Sequence, residues 1–244
     1  MRNLKLKLLI PCLMVASLSY GQWWGGKKGI KGNGNVTTVT RTTSDYDGIK
    51  CAGFMDFKLV EGNEGKITIE GESNLLEHIV TEVKNGKLVV KVAKGKNLKP
   101  SNNKPIIVTV PYKDISSVSL AGSGDVWNEG TISASNLSVS LAGSGDIILN
   151  VQTSKVKGSV AGSGDLTLKG KTTDLDASVA GSGDFHGFGL DATNTTVSVA
   201  GSGDADVVCN GVLKARVAGS GDIEYRGNPT KEDTKVVGSG SIDN

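Results

Sequence analysis

The pentapeptide Ala-Gly-Ser-Gly-Asp begins at Ala121, Ala142, Ala161, Ala180, Ala200 and Ala218, and an altered copy, Val237-Gly238-Ser239-Gly240-Ser241, follows near the C-terminus. Successive first glycines lie 21, 19, 19, 20, 18 and 19 residues apart. Spacing this regular requires one structural unit per repeat. Around the third copy Val160, Gly162, Gly164, Leu166 and Leu168 alternate with Ala161, Ser163, Asp165 and Thr167, and the same phase recurs from Val139 to Leu149 and from Val197 to Val207. Period two belongs to strands, and helical spacing fits none of these stretches. A lone strand pair cannot bury such a face, whereas stacked identical coils bury it continuously. The expectation is an all-β chain: a single-stranded parallel β-helix, or solenoid, with coils of about 19 residues and an irregular N-terminal capping region.

The 34 glycines of the 244-residue chain are explained by the same geometry. In each Gly-Ser-Gly they either bring opposite walls close together or supply the positive φ of a corner. Stacking also aligns Asp125, Asp146, Asp165, Asp184, Asp204 and Asp222 in one column. Carboxylates ~5 Å apart repel by roughly 1 kcal/mol per pair in water, so something must offset the charge. Two answers are open: each Asp accepts hydrogen bonds from backbone N–H groups of the turns, or the column coordinates a cation, with calcium the first candidate. Calcium-binding β-rolls also set Asp beside glycine turns, but in nonapeptides used twice per coil.

The N-terminus reads as an export signal over residues 1–21: Arg2, Lys5 and Lys7, then an apolar stretch from Leu8 to Leu18, then Ser19-Tyr20-Gly21 as a cleavage site. The apolar stretch is too short to span a bilayer. Removing residues 1–21 takes away three of 27 basic residues and no acidic ones, leaving 24 against 25. That balance provides no concentrated basic face for nucleic acid. Cys51 and Cys209 remain, 158 residues apart, and a disulfide between them is open in an oxidising compartment. No Cys or His spacing typical of a metal site is present.

Residues 22–45, with Trp23-Trp24 and a mixture of Gly, Lys and Thr, read as a flexible segment leading into a strand at Val36 to Arg41. The solenoid then runs from 46 to 244, with degenerate coils over 46–115 and regular ones over 116–244. Cys51-Ala52-Gly53-Phe54-Met55-Asp56-Phe57 keeps the repeat frame, and Ile69 to Leu75 follows it again. Leu75 to Val80 suits a short capping helix. Lys84-Asn85-Gly86-Lys87 predicts a hairpin, Gly95 to Lys104 a loop, and some antiparallel pairing is expected there.

Catalytic signatures fail on inspection. Alanine stands where a Gly-x-Ser-x-Gly nucleophile elbow needs glycine, and His78 and His186 lie far apart with no evident partner. Asp174, Asp176 and Asp191 are a candidate acid/base set of the kind used on a solenoid wall, but all three sit in turn-like contexts that suit ordinary solvated charge.

Ile106 to Val126, containing Val-Thr-Val-Pro-Tyr and Ser-Val-Ser-Leu-Ala-Gly-Ser-Gly-Asp-Val, resembles the bacterial head GIN domain family of auto-transporter adhesins. The resemblance extends from about Tyr46 to Ile242. It implies an envelope β-solenoid and brings no catalytic or binding residues with it. A membrane barrel after Gly238 is not evident, so a soluble periplasmic or surface-associated state is expected. The sequence therefore points to a non-enzymatic exported protein whose walls bind cell-surface glycan or protein. A self-assembling or cation-binding module is the alternative, and a polysaccharide-active enzyme a third.

Overall fold

The computed structural model describes residues 29–102 and 104–244. The expected signal at 1–21 and the Trp23-Trp24 pair lie outside the described residues. Strands stack in parallel along two walls of a β-solenoid. On wall one the order along the axis is Lys87–Val92, Gly48–Gly53, Ser117–Gly122, then the second halves of Ile132–Gly143, Ile147–Gly162, Leu166–Gly181 and Leu190–Gly201, then Val212–Gly219 and Lys231–Gly238. Wall two stacks Ile107–Tyr112, Asp56–Glu61, Val126–Glu129, the first halves of Ile147–Gly162 and Leu166–Gly181, Phe185–His186, Ala205–Val208, Ile223–Arg226 and Ile242–Asp243. In the middle coils a third run, registered through Ile132, Val151, Gly170 and Leu190, joins the walls.

The repeat frame holds residue for residue. Cys51, Ala52 and Gly53 pair with Leu120, Ala121 and Gly122, and Phe57 pairs with Val126, so the degenerate copy is a true coil. Stacking order nevertheless departs from chain order. The segment 87–112 forms the outermost coil, and 48–61 lies between it and 117–129. The degenerate coil 48–61 pairs directly with 117–129 of the regular coils.

The reading of Ile69 to Leu75 as a further coil is corrected. Lys66–Glu72 is antiparallel to Ile107–Tyr112 on one side and to Val36–Thr42 on the other, and it runs into a helix at Ser73–Leu76 rather than at Leu75 to Val80. Period-two alternation is the same for parallel and antiparallel strands, so local pattern could not separate them. The Asn85-Gly86 hairpin forms as expected, with φ of 51° and 71°. It pairs Ile79–Lys84 with Lys87–Val92, so both walls end in antiparallel cover that hides the open edge. The loop after Gly95 contains a two-residue strand, Leu98–Lys99, paired with Ile30–Lys31.

Glu72 ties this cap together. It is fully enclosed, and its carboxylate accepts the Gly34 N–H at 2.6 Å, the Ser101 N–H at 2.8 Å and the Ser101 hydroxyl at 2.7 Å. The Ser101 N–H foremost, with the other donors and Lys104, holds its pKa below the ordinary glutamate value against the opposing effect of burial. Arg41 closes the short helix by donating to the carbonyls of Leu76, at 2.6 Å, and Ile79.

The core is one column from Tyr46 to Tyr225, mainly aliphatic with Phe57, Tyr112 and Phe185 set into it. Large and small residues are matched between coils. Phe185, fully buried, occupies the place that Leu166 and Ala205 hold in neighbouring coils. A Cβ on Gly158 would stand 2.8 Å from its ring. At the other end Lys231–Gly238 is exposed throughout. Glu232 and Thr234 there take the register positions that the buried Leu213 and Ala215 hold one coil earlier. Polar residues at core-facing positions, with Lys231 and Lys235 on the same strand, blunt the free edge.

Candidate functional site

The Gly-Ser-Gly-Asp corner is built from backbone first. Ser163 N–H and Gly164 N–H both donate to the Gly143 carbonyl, at 2.9 and 3.1 Å. Gly162 has φ of +138°, and a Cβ there would meet the Gly143 oxygen at 2.2 Å. Gly164 has no such φ, but its Cβ would meet the Gly145 oxygen at 2.0 Å. Thus the first glycine serves both the corner's conformation and close approach, and the second serves close approach alone. The close approach is between successive coils, not between opposite walls.

Asp follows at the exit of each corner, and its neighbour's backbone offsets part of the charge. Asp146 N–H donates to Asp125 Oδ1 at 3.0 Å, Asp165 to Asp146 at 2.9 Å, Asp184 to Asp165 at 2.9 Å, Asp204 to Asp184 at 2.7 Å and Asp222 to Asp204 at 2.7 Å. Ser241, the altered repeat, donates its N–H to Asp222 at 2.6 Å and so ends the ladder. The structure adds Asp56 at the other end, accepting from Asp125 N–H at 3.1 Å. Burial raises the Asp56 pKa, with the Asp125 N–H opposing it. The signal for Asp56 was the degenerate frame Cys51–Phe57.

Beside this column lies the outward row of wall two: Thr109, Lys58, Trp127, Ile148, Thr167, His186, Asp206, Glu224 and Asp243, registered coil to coil. Trp127 is partly exposed and Ile148 is 47% exposed. His186 has a partner after all, for its Nδ1 lies 3.0 Å from Asp206 Oδ2. Phe188, in the turn leaving this wall, lies under the Arg226 guanidinium at 3.7 Å, a cation–π contact. Wall one presents a row of small residues, Ser119, Ser140, Ser159, Ser178 and Ser198, between Lys50 and Arg216, an alanine row from Ala52 to Ala218, and a third row that includes Lys157, Asp176 and Lys214; its described outward rows contain no aromatic ring.

Asp174, Asp176 and Asp191 do not converge on one another. Asn194 donates to Asp174 at 3.0 Å, while Asn210 donates to Asp191 at 3.2 Å and Lys171 lies 3.8 Å from it. These are side-chain ladders between coils. Among the described residues Cys51 and Cys209 are both buried and do not pair, and burial pushes the Cys51 thiol up. At the N-terminal end Asp45, Asp47, Glu64 and Asp114 surround Tyr46 and Lys113 in an open depression of about 610 Å³.

Walls of this kind define a class: a parallel β-solenoid whose corners are glycine turns and whose sides are long, repetitive surfaces. The chain belongs to the family described as "putative auto-transporter adhesin, head GIN domain", which matches residues 45–229. Its fold is that of a "putative adhesin" from Bacteroides fragilis, 23% identical, with a TM-score of 0.82 over 88% of this chain and 100% of that one. Two proteins from Parabacteroides distasonis are also similar. One is a "putative lipid binding protein", 28% identical, TM-score 0.74, covering 88% of this chain and 99% of that one. The other is a "putative adhesin", 25% identical, TM-score 0.72, with the same coverage. No curated protein matches the chain. No helix among the described residues is long and apolar enough to cross a membrane.

Proposed function

We propose that this protein is a non-enzymatic, exported surface protein that adheres to a cell-surface glycan or protein through wall two, after removal of residues 1–21. The observation that carries the reading is the composition of that wall's outward row. It combines an indole at Trp127, an exposed aliphatic group at Ile148 and carboxylates at Asp206, Glu224 and Asp243. Amphipathic rings beside polar groups are what recognition surfaces use, for an aromatic provides large contact area at little entropic cost. Adhesin-type relatives support a binding role. The paired-off Asp174 and Asp191 support a non-catalytic one.

The test is saturable binding of the mature chain on a glycan array and to a panel of purified cell-surface proteins. Trp127→Ala with Ile148→Ser is expected to weaken the binding at least tenfold. Ala161→Arg with Ala180→Arg on wall one leaves it unchanged. Binding that follows the wall-one pair instead, or released oligosaccharide products, would overturn the reading.

A further inference from the structure

Among the described residues, one place brings metal-ligand atoms of mixed type together. One ligand atom each from Asp165, Asp184 and His186 lies within 4.8 Å of the other two, and all three residues are partly exposed. Their arrangement follows from the coil. Asp184 and His186 are two apart in sequence on the exit from one corner, and Asp165 is the residue of the coil beneath. Backbone bonds fix both carboxylates, since Asp165 Oδ1 accepts from Asp184 N–H and Asp184 Oδ1 accepts from Asp204 N–H. Among the described residues no donor reaches the second oxygen of either. The ring is fixed as well, by Asp206 at 3.0 Å from Nδ1. A carboxylate on one ring nitrogen is how imidazoles that bind metal through the other nitrogen are oriented.

Charge points the same way. Asp165 and Asp184 lie close to the His186 imidazole and Asp206 pairs with it, and no Lys or Arg among the described residues makes a salt bridge to any of the three carboxylates. Elsewhere along the column the neighbouring row carries Trp127, Ile148 or Glu224 in place of an imidazole.

We propose that Asp165, Asp184 and His186 bind one divalent transition-metal cation such as Zn²⁺ or Ni²⁺, with Asp206 positioning the ring. Imidazole as a ligand selects these ions over calcium, which takes oxygen ligands. Ligand atoms on a tetrahedral zinc lie about 3.4 Å apart, so small side-chain rotations close the site without moving the backbone. Three protein ligands leave a position for water or for a donor group on a bound partner.

The experiment is calorimetric titration of the untagged mature chain with ZnCl₂, NiCl₂ and CaCl₂. Saturation at one equivalent of Zn²⁺ is expected, with His186→Ala and the pair Asp165→Asn/Asp184→Asn each weakening it at least tenfold. His78→Ala, at the only other histidine, leaves it unchanged. Asp206→Asn weakens it about tenfold or more and shifts the His186 ring resonances. Absence of saturable Zn²⁺ and Ni²⁺ uptake, uptake within twofold of normal in His186→Ala, or preferential Ca²⁺ binding indifferent to that substitution would each overturn the assignment. Unchanged thermal midpoints of the metal-free variants confirm that they fold. Loss of metal binding with adhesion intact would leave the adhesive reading standing.

Discussion

The backbone N–H of Asp184 donates to the carboxylate of Asp165 at 2.9 Å, so in this solenoid each repeat's acidic side chain is held by the main chain of the next. This arrangement favours an acceptor at the position more than it favours a charge. Asp165→Asn retains the acceptor and removes one of the stacked charges, and is expected to keep or slightly raise the thermal midpoint. Asp165→Ala lacks the acceptor and is expected to lose about 1 kcal/mol. Repulsion along the column also predicts that moderate NaCl stabilises the wild-type chain by screening, and stabilises it more than a variant with three ladder aspartates replaced by Asn. Thermal melts at two ionic strengths check both statements.

The corner glycines differ in the strain that a methyl group would meet. Gly164→Ala places Cβ 2.0 Å from a carbonyl oxygen that cannot rotate away, and Gly162→Ala adds an unfavourable φ to a 2.2 Å approach. Each is expected to destabilise by ~3 kcal/mol or more. Gly62→Ala, where the nearest atom is Pro111 Cβ at 3.8 Å, is expected to be neutral or slightly stabilising. Urea unfolding of the three variants separates them.

Glu72 makes the N-terminal cap sensitive to acid. Its folded pKa lies below the unfolded value of 4.5, so its contribution is fully present above that pH and is lost as pH falls through the lowered folded pKa. Glu72→Gln is expected to loosen the cap at neutral pH and to flatten that part of the acid dependence. Hydrogen exchange at Gly34 and Ser101, measured between pH 3 and 6, reads this directly.

Phe185 and Gly158 are a matched pair, and their substitutions should couple. Gly158→Ala alone drives a methyl group against the ring at 2.8 Å, and Phe185→Ala alone leaves a cavity costing ~3–5 kcal/mol. Gly158→Ala with Phe185→Ala is expected to be more stable than the sum of the two single changes, because the smaller side chain removes the clash. A double-mutant cycle measures the difference.

Much of the fold was legible because the repeat states it seven times. Cys51 to Phe57 was readable as a coil without the Ser or the second Gly, since Ala52, Gly53 and Asp56 keep their places. The Lys84–Lys87 hairpin was readable from Asn-Gly. The Ile69 segment misled because a strand's period is blind to its partner's direction. His186 looked solitary although its partner lies 20 residues on, one coil away, where only stacking brings it close.

Sequence alone determined the coil: its length, its inward and outward residues and the glycines its corners demand, all of which depend on backbone sterics and alternation within a few residues. Tertiary structure decided which coil lies on which. The insertion of 48–61 beneath 87–112, the antiparallel cover of both walls, and the meeting of Asp165 with Asp184 and His186 depend on hydrogen bonds between segments far apart in the chain. The free energy of such pairings comes from burial shared across coils, and no local stretch of residues carries that information.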